Sequence, residues 1–328
     1  MIETSVHHHF MNRALQLAAL GLGGVQPNPM VGAVIVCENR IIGEGYHQHY
    51  GQAHAEVMAI QQVHDSSLLP KSTLYVTLEP CSHFGKTPPC ADLVIKSGIP
   101  RVVVANIDPN DKVNGAGIQK LQAAGIEVIC GIMEKEALSL NRRFFTFHQK
   151  KRPYIILKWA ETANGFMDIN RTEQQTNNYW ITNEPLRLLN HKWRSEEDAI
   201  LIGYNTLLND HPQLTNRLYS GKSPRPFVMS RSFGKEDATL RASGFQALPL
   251  NVDEALAVLY EQQVQSVIVE GGKSTLNRFI SCGLWDEMRV FVGDVRWEKG
   301  VAAPPKLGNF RERLQVEDDE VLFYYCAN

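Results

Sequence analysis

Hydrophobic and polar residues alternate along the first half of the chain in blocks that predict helices and strands in turn. Residues 10–22 carry apolar positions at helical spacing. Two apolar runs, 30–37 and 40–45, flank the turn-forming pair Glu38-Asn39 and predict a strand hairpin. The elements predicted after it are helix 54–64, strand 74–78, helix 89–97, strand 101–105, helix 115–124 and strand 125–130. This order is typical of a three-layer α/β domain, with helices on both faces of a sheet.

The second half of the chain repeats the alternation. The predicted strands are 154–159, 199–203, 226–230, 265–269, 287–293 and 320–326, and the predicted helices are 183–196, 253–262 and 272–281. Residues 231–249 show no clear pattern. Between the halves, the polar run 149–152 precedes Pro153 and is interpreted as a connector. We therefore predict two domains, 1–148 and 149–328, which agrees with the length of 328 residues.

Composition and charge narrow the class of protein. The chain is 44% hydrophobic and 21% charged, with a formal net charge of -2. It has no basic excess for binding nucleic acid, no apolar run long enough for a membrane span and no visible signal peptide. We predict a cytoplasmic globular protein that acts on neither nucleic acid nor membrane. The tract His7-His8-His9 is interpreted as a solvated turn without a function.

The cysteines separate into two groups. Six cysteines in a chain of this length do not form a disulfide scaffold, which agrees with a reducing compartment. Two of them, Cys81 and Cys90, lie in a polar segment rich in proline. The other four lie in apolar runs and are predicted to be reduced core residues: Cys37, Cys130, Cys282 and Cys326.

The residues with the clearest chemistry are His54, Cys81 and Cys90. One imidazole and two thiolates fill three positions of a zinc ion and leave the fourth open for water, which is the pattern of a catalytic site. Glu56, two residues after His54, is placed to move protons without binding metal, as in zinc deaminases. A structural histidine with two buried cysteines is the plainer alternative. A zinc-stabilised binding module is another, but it has no use for Glu56.

Eight residues separate Cys81 from Cys90, whereas only two residues separate the paired cysteines in the common pattern of base deaminases. The run from Cys81 to Cys90, with the runs 27–34 and 108–110, resembles the deaminase half of a bifunctional riboflavin-biosynthesis family, the diaminohydroxyphosphoribosylaminopyrimidine deaminase / 5-amino-6-(5-phosphoribosylamino)uracil reductases. The resemblance implies a cytidine-deaminase-like three-layer domain for the first half. It implies a substrate pocket lined by Asn28, His47, His83, Lys86, Asp108 and Asn110. Lys86 would meet the substrate phosphate as a point charge.

The second half resembles the reductase of the same family through Trp180-Ile181-Thr182 and the runs 198–203, 206–217 and 270–272. The resemblance implies a dihydrofolate-reductase-like domain that uses NADPH. The residues implied to line the cofactor are Ala160, Trp180, Thr206, Asp210, Gly271 and Gly272. Those implied to hold the substrate are Asn178, Arg194, Leu214, Arg217 and Glu270. Two arginines suit a ribose phosphate, because guanidinium groups bind phosphate in a fixed geometry.

Three departures from the family pattern leave a second hypothesis open. Asn164 replaces an Asp, Asn178 replaces a Ser, and the segment 218–250 is short. The alternative is a deaminase whose second domain keeps its fold but not its activity. A tRNA or nucleobase deaminase would share the zinc chemistry, but the net charge and the cysteine spacing disfavour it. The family also implies a homo-oligomer, either a dimer or a tetramer.

Overall fold

The computed structural model describes residues 2–84, 88–110, 113–169, 180–235 and 237–327. The chain divides into two compact units, Met1–Lys150 and Lys151–Asn328. Within the described ranges, every helix is too short or too polar to cross a bilayer.

The first unit is built on a five-stranded sheet. Its elements are α1 (Ile2–Ala19), β1 (Gly32–Cys37), β2 (Arg40–Tyr46), α2 (Ala55–Gln61), a 3-10 helix (Ser66–Lys71), β3 (Thr73–Leu78), α3 (Cys90–Lys96), β4 (Arg101–Asn106), α4 (Ala116–Ala123), β5 (Glu127–Cys130), α5 (Glu134–Leu140) and α6 (Arg142–Lys150). The strand order is β2-β1-β3-β4-β5. Strands β3, β4 and β5 run parallel, so their carboxyl ends share one edge of the sheet.

Both faces of this sheet are covered by helices. Ile35 of β1 packs in a core with Ala59 of α2, whereas its neighbour Val34 packs in a separate core with Met11 of α1. Successive side chains of a strand point to opposite faces, so an uninterrupted apolar strand such as β1 is buried on both sides. The predicted three-layer arrangement is confirmed.

The N-terminal helix is longer than its pattern indicates. The prediction of 10–22 is wrong at both ends, because α1 begins at Ile2 and ends at Ala19. His7 is not in a solvated turn: it is buried, and its Nδ1 lies 2.9 Å from the hydroxyl of Tyr75. His7, Phe10 and Ala14 share the helix face that packs on the sheet, and the exposed His8 and His9 obscure that spacing.

The second unit is built on an eight-stranded sheet and a two-stranded ribbon. Its elements are β6 (Tyr154–Thr162), β7 (Phe166–Asp168), α7 (Glu184–Glu196), β8 (Ala199–Gly203), α8 (Tyr204–Asp210), β9 (Arg225–Met229), α9 (Ala238–Ser243), β10 (Gln246–Leu248), α10 (Val252–Glu261), β11 (Ser266–Val269), α11 (Lys273–Cys282), β12 (Glu287–Gly293), β13 (Val301–Ala302), β14 (Asn309–Val316) and β15 (Asp319–Tyr325). The strand order is β10-β9-β8-β11-β6-β12-β15-β14, and β13 pairs with β7.

Strand β11 lies between β8 and β6 and runs parallel to both. Chain segments that follow parallel strands meet at the carboxyl edge of a sheet, which is where open α/β sheets bind ligands. The insertion therefore places the turn after β11, Glu270-Gly271-Gly272, beside the start of α8 and the middle of β6.

Several elements escape the sequence pattern. Strands β7, β10 and β13 have two or three residues, too few to show a period. Strand β14 is exposed and mostly polar, and its pairing with β15 holds it in place. The predicted connector 149–152 is partly wrong, because Gln149 and Lys150 belong to α6.

The core prediction for four cysteines is only partly correct. Cys37 is buried and Cys326 is half-buried, but Cys130 and Cys282 are exposed. Cys130 is the last residue of an edge strand, and Cys282 is the last residue of α11. An apolar run therefore does not ensure burial where its element ends.

Candidate active sites

Three potential metal ligands meet at the carboxyl edge of the first sheet. His54 is the N-cap of α2, Cys81 follows β3, and Cys90 is the first residue of α3. His54 Nδ1 lies 3.2 Å from Cys90 Sγ and 3.6 Å from Cys81 Sγ. Among the described residues, these three form a group whose ligand atoms lie within 4.8 Å of one another.

These distances can be compared with those of a tetrahedral zinc site. With Zn–S near 2.3 Å and Zn–N near 2.0 Å, a tetrahedral angle separates N from S by roughly 3.5 Å. The distances of 3.2 and 3.6 Å lie on either side of that value. The donor set, one imidazole and two thiols, is also one that zinc prefers. The donor types and the two N–S distances therefore fit a zinc ion.

The two thiols differ in acidity in the polypeptide itself. A hydrogen bond from the Cys90 thiol, outweighing the effect of burial, lowers the pKa of Cys81 to about 4, and His54 contributes to the shift. The same hydrogen bond, together with burial, raises the pKa of Cys90. Cys81 is thus the more acidic thiol of the pair, and its sulfur also accepts a bond from the Cys90 backbone N–H at 3.3 Å. Metal binding would release the proton held by Cys90.

Glu56 lies in the first turn of α2 and is only 3% exposed. Burial, with a smaller contribution from the charge of Cys81, raises the pKa of its carboxyl to about 6. A group that titrates this close to neutral pH can both accept and donate a proton during turnover. The side chain that the sequence assigns to proton transfer is therefore electrostatically suited to that role.

A cavity of about 280 Å³ opens beside these residues. The predicted substrate residues that line it are Asn28, His47, His83, Asp108 and Asn110. Lys86, also predicted, lies outside the described residues. The cavity wall further includes Tyr50, Glu79 and Phe144, which the sequence did not single out. Phe144 shows no chemical signal in the sequence, and Glu79 is visible there only as an acid before a proline, next to the Cys81 motif.

Asn28 and His47 form a hydrogen-bonded pair in the cavity wall. The buried His47 ring places Nδ1 3.1 Å from the carbonyl oxygen of Ala53, and Nε2 3.1 Å from Asn28 Nδ2. Because the carbonyl must accept, Nδ1 carries the proton and Nε2 accepts from the Asn28 amide. Burial lowers the pKa of His47, which favours this neutral form. The pair sets the orientation of the Asn28 amide toward the cavity.

Asp108 adds a half-buried acid to the cavity. Burial raises the pKa of its carboxyl to about 6, although a hydrogen bond from the Asn110 backbone opposes the shift. That N–H donates to Asp108 Oδ1 at 2.8 Å. The carboxyl of Asp108 and the backbone of Asn110 therefore hold each other in place.

In the second unit, a bidentate ion pair joins Arg194 to Glu270. Arg194 Nε donates to Glu270 Oε1 at 2.9 Å, and Nη2 donates to Oε2 at 2.7 Å. Nη1 also donates to the carbonyl oxygen of Thr215 at 3.1 Å. Arg194 is 9% exposed, whereas the exposed Arg217 lies in a different setting. The two predicted substrate arginines are therefore not equivalent.

The loop tied to Arg194 has an unusual backbone. Leu214, a predicted substrate residue, is buried although its φ is 52°. A branched side chain rarely adopts this left-handed conformation, and such strain persists only where surrounding contacts enforce it. The Arg194–Thr215 bond is one of those contacts.

Lys158, in the middle of β6, is a further charged group that the sequence analysis missed. Its Nζ lies 4.0 Å from Glu270 Oε2 and 4.6 Å from the centre of the Phe291 ring. Burial lowers the pKa of this lysine. A lysine inside an apolar strand was the available signal, because such a group is rarely buried without a partner.

Glu270 gives the second unit a pH-dependent stability. Burial by itself would raise the pKa of its carboxyl, but Arg194 and Lys158 outweigh burial and lower it to about 2. The ordinary value is 4.5, so the stabilising contribution is complete above that pH and is lost as the pH falls toward 2.

We therefore expect Glu270→Gln to lower the melting temperature of the second unit at about pH 7. The difference from wild type should shrink as the pH falls from about 4.5 toward 2, because over that range Glu270 binds a proton in the unfolded chain before it does in the folded protein. Thermal unfolding across this range measures the effect, with exposed Glu298→Gln as the control. A difference that stays constant with pH would contradict the assignment.

The predicted cofactor residues Thr206 and Gly272 are in contact. The Gly272 N–H donates to Thr206 Oγ1 at 3.3 Å, and Asp210 lies one helical turn further along α8. A Cβ on Gly271 would lie 2.8 Å from Thr275 Cβ, so the close turn requires glycine. Gly272 is also the N-cap of α11, and no side chain caps that helix start. This arrangement fits a phosphate of a dinucleotide.

Other predicted reductase residues lie elsewhere in the second unit. Ala160 is half-buried on β6, in register with Phe291 of β12. Trp180 is 60% exposed, and the guanidinium of Arg187 lies 4.6 Å from the centre of its ring. Asn178 lies outside the described residues.

The turn at Asn164 explains one departure from the family pattern. Its Nδ2 donates to the carbonyl oxygen of Trp297 at 2.7 Å, and its Oδ1 accepts from Thr162 Oγ1 at 2.9 Å. An ionised aspartate could not make the first of these bonds, because it has no donor. Asn164 therefore has a structural role of its own in this chain.

Comparison with known proteins finds one family match within each of the two units. Residues 4–106 match the family described as the cytidine and deoxycytidylate deaminase zinc-binding region, and residues 153–295 match the RibD C-terminal domain. Riboflavin biosynthesis protein RibD of Aquifex aeolicus is 40% identical over 96% of this chain and 95% of its own. That of Bacillus amyloliquefaciens is 38% identical over 88% of this chain and 85% of its own.

Solved structures agree with these matches. A Thermotoga maritima diaminohydroxyphosphoribosylaminopyrimidine deaminase/5-amino-6-(5-phosphoribosylamino)uracil reductase superposes with a TM-score of 0.86 at 34% identity, covering 99% of this chain and 100% of that one. Acinetobacter baumannii RibD superposes with a TM-score of 0.86 at 29% identity and the same coverage. The predicted fold class of both halves is confirmed.

Proposed function

The chain belongs to the riboflavin-biosynthesis RibD family of combined deaminases and reductases, and on that premise we propose that it carries out both reactions in sequence. The first unit hydrolyses an amino group of 2,5-diamino-6-(5-phosphoribosylamino)pyrimidin-4(3H)-one, consuming water and releasing ammonia. The second unit reduces the ribosyl group of the product to ribityl with NADPH. The observation that carries the proposal is the buried Glu56, which lines one cavity with His54 and Cys81, while Cys90 Sγ lies 3.2 Å from His54 Nδ1.

In the first reaction, His54, Cys81 and Cys90 would hold a zinc ion that supplies an activated water at neutral pH. Glu56 takes a proton from the attacking water and delivers it to the departing ammonia, since its carboxyl titrates near neutral pH. The amide of Asn28, fixed by His47, reads the edge of the pyrimidine. Asp108 and Asn110 line the same wall, and the exposed His83 lies at the cavity.

Zinc content is directly measurable. We expect one zinc per chain in the purified protein, and Cys90→Ser to lose both zinc and deamination, because a neutral hydroxyl replaces a thiolate ligand. NADPH oxidation by the second unit should continue. Elemental analysis and ammonia release measure the outcome, with exposed Cys130→Ser as the matched control. Full zinc content in Cys90→Ser would remove Cys90 from the ligand set.

In the second reaction, NADPH would supply a hydride to the opened ribosyl group. Thr206, Asp210, Gly271 and Gly272 would hold the cofactor at the start of α11, with Ala160 and Trp180 beside the nicotinamide. The remaining predicted residues would face the substrate: Asn178, Arg194, Leu214, Arg217 and Glu270. The exposed Arg217 is the one suited to bind the phosphate by itself, since Arg194 is already bonded to Glu270.

A single assay distinguishes the deaminase-only alternative from the proposed enzyme with both activities. Deaminated intermediate and NADPH are added to the protein, and the absorbance of the nicotinamide band is followed. We expect the absorbance to fall with time. A protein that deaminates well but neither binds nor consumes NADPH would be a deaminase with an inactive second unit.

The choice of substrate distinguishes a nucleic-acid deaminase from the proposed enzyme. We expect ammonia release from the pyrimidine phosphate and none from RNA, which agrees with the net charge of -2. We further propose that the protein works as a homo-oligomer in the cytoplasm, where thiolate ligands and free cysteines persist. Light scattering of the purified chain measures the oligomeric state.

A further inference from the structure

Glu79 is a buried carboxylate that the proposed chemistry does not use. It directly follows β3, lies two residues before Cys81 and is 4% exposed. Each of its two oxygens accepts two backbone hydrogen bonds. The donors to Oε2 are the N–H groups of Asp108 at 3.2 Å and Gly115 at 2.9 Å, and the donors to Oε1 are those of Gly117 at 2.8 Å and Ile118 at 3.3 Å.

All four donors belong to one segment, 108–118. Its first part contributes Asp108, Asn110 and Val113 to the cavity wall, and its last part begins α4. The N-cap of α4 is Gly115, which has no side chain with which to cap the helix. The first N–H groups of a helix need acceptors, and a carboxylate there is also favoured by the helix dipole. Glu79 supplies that cap from a different element.

The start of α4 also packs closely against the chain that leaves β3. A Cβ on Gly117 would lie 2.0 Å from the carbonyl oxygen of Pro80 and 3.1 Å from Glu79 Oε1. The start of α4 can therefore approach the exit of β3 only because residue 117 is glycine. The same exit leads directly to Cys81, so the ligand and the 108–118 segment are fixed to one point.

We propose that Glu79 is a positioning residue of the deaminase. It sets the placement of Asp108 and Asn110 relative to the strand exit that carries Cys81, and thereby the fit of the pyrimidine between metal site and cavity wall. The inference rests on the proposed deaminase function. A role in folding alone would change stability without a selective effect on substrate binding.

The test is Glu79→Gln, which keeps the size of the side chain. Its amide nitrogen cannot accept, so two of the four backbone bonds are lost. We expect kcat/KM for deamination to fall roughly tenfold to a hundredfold, mainly through KM, because small displacements of substrate contacts have effects of that size. Zinc content and NADPH oxidation should remain those of wild type. Exposed Glu127→Gln in the same unit is the control.

Two further variants separate positioning from folding. Glu79→Asp keeps the charge and should restore part of the loss. Gly117→Ala keeps the carboxylate but forces the start of α4 away from Pro80. It should raise KM, as Glu79→Gln does. Hydrogen exchange should accelerate at the backbone amides of Gly115 and Gly117 in Glu79→Gln.

The outcomes are distinguishable. An active wild type with an unchanged KM in Glu79→Gln and Gly117→Ala overturns this inference alone. Loss of zinc, or loss of both activities, overturns it in favour of a role in the metal site or the fold. Wild-type protein that releases no ammonia overturns the proposed function and this inference with it.

Discussion

Glu56→Gln should abolish most deamination while leaving the zinc site intact. We expect turnover to fall between about a hundredfold and ten-thousandfold, the usual contribution of a positioned acid and base. The amide has the size of the carboxyl but cannot carry the proton from water to the leaving ammonia. Glu56 does not belong to the group of potential ligands, so zinc content should stay at one per chain.

Stability should not fall in this variant. Glu56 is buried, and burial disfavours its charged form, so a neutral isostere relieves that cost. Ammonia release under saturating substrate measures the effect, and NADPH oxidation by the same chain reports an intact second unit. Exposed Glu136→Gln is the matched control. Near-normal deamination in Glu56→Gln would reject the proton-transfer role.

The second large effect is expected for Arg194→Met. Methionine fills the space but leaves Glu270 as a buried carboxylate that keeps Lys158 and Asn190 as neighbours and loses its bidentate partner. Breaking a buried ion pair from one side costs about 3–5 kcal/mol of the free energy of unfolding. The loop at Leu214 also loses the bond to Thr215, so ribosyl reduction should fall below detection while deamination by the first unit persists.

Denaturant unfolding and NADPH oxidation measure these two consequences. Arg217→Met is the matched control: it removes an exposed guanidinium, so stability should change by less than about 0.5 kcal/mol and the loss should appear mainly in KM. Arg194→Lys should recover part of the stability, because lysine keeps the charge but not the bidentate geometry. An Arg194→Met protein that unfolds like wild type and still reduces its substrate would contradict the assignment.

The sequence alone was sufficient for the local parts of the candidate sites. His54 and Glu56 lie at one helix start, and Cys90 begins another, so their spacing predicts where their side chains converge. The apolar strands of both units were also readable, because β1 and its neighbours are buried on both faces. Patterns within a few residues depend on helix and strand geometry, which is the same in every protein.

The parts that the sequence could not supply depend on chain segments that meet only in the fold. Glu79 caps a helix about forty residues further along the chain, and its pattern resembles that of any acid before a proline. His7 is buried because Tyr75 lies beneath it. Asn164 is explained by the carbonyl oxygen of Trp297.

The second unit shows the same division most clearly. The Glu-Gly-Gly turn, with Glu270, was recognisable as a motif, but the partners of Glu270 were not. Arg194 and Lys158 surround it because β11 inserts between β8 and β6, which places β6 and the helix before β8 on either side of the turn. Sequence patterns define which groups are available for chemistry. The order of strands in the sheet decides which of them share a buried site, and with it their charge and pKa.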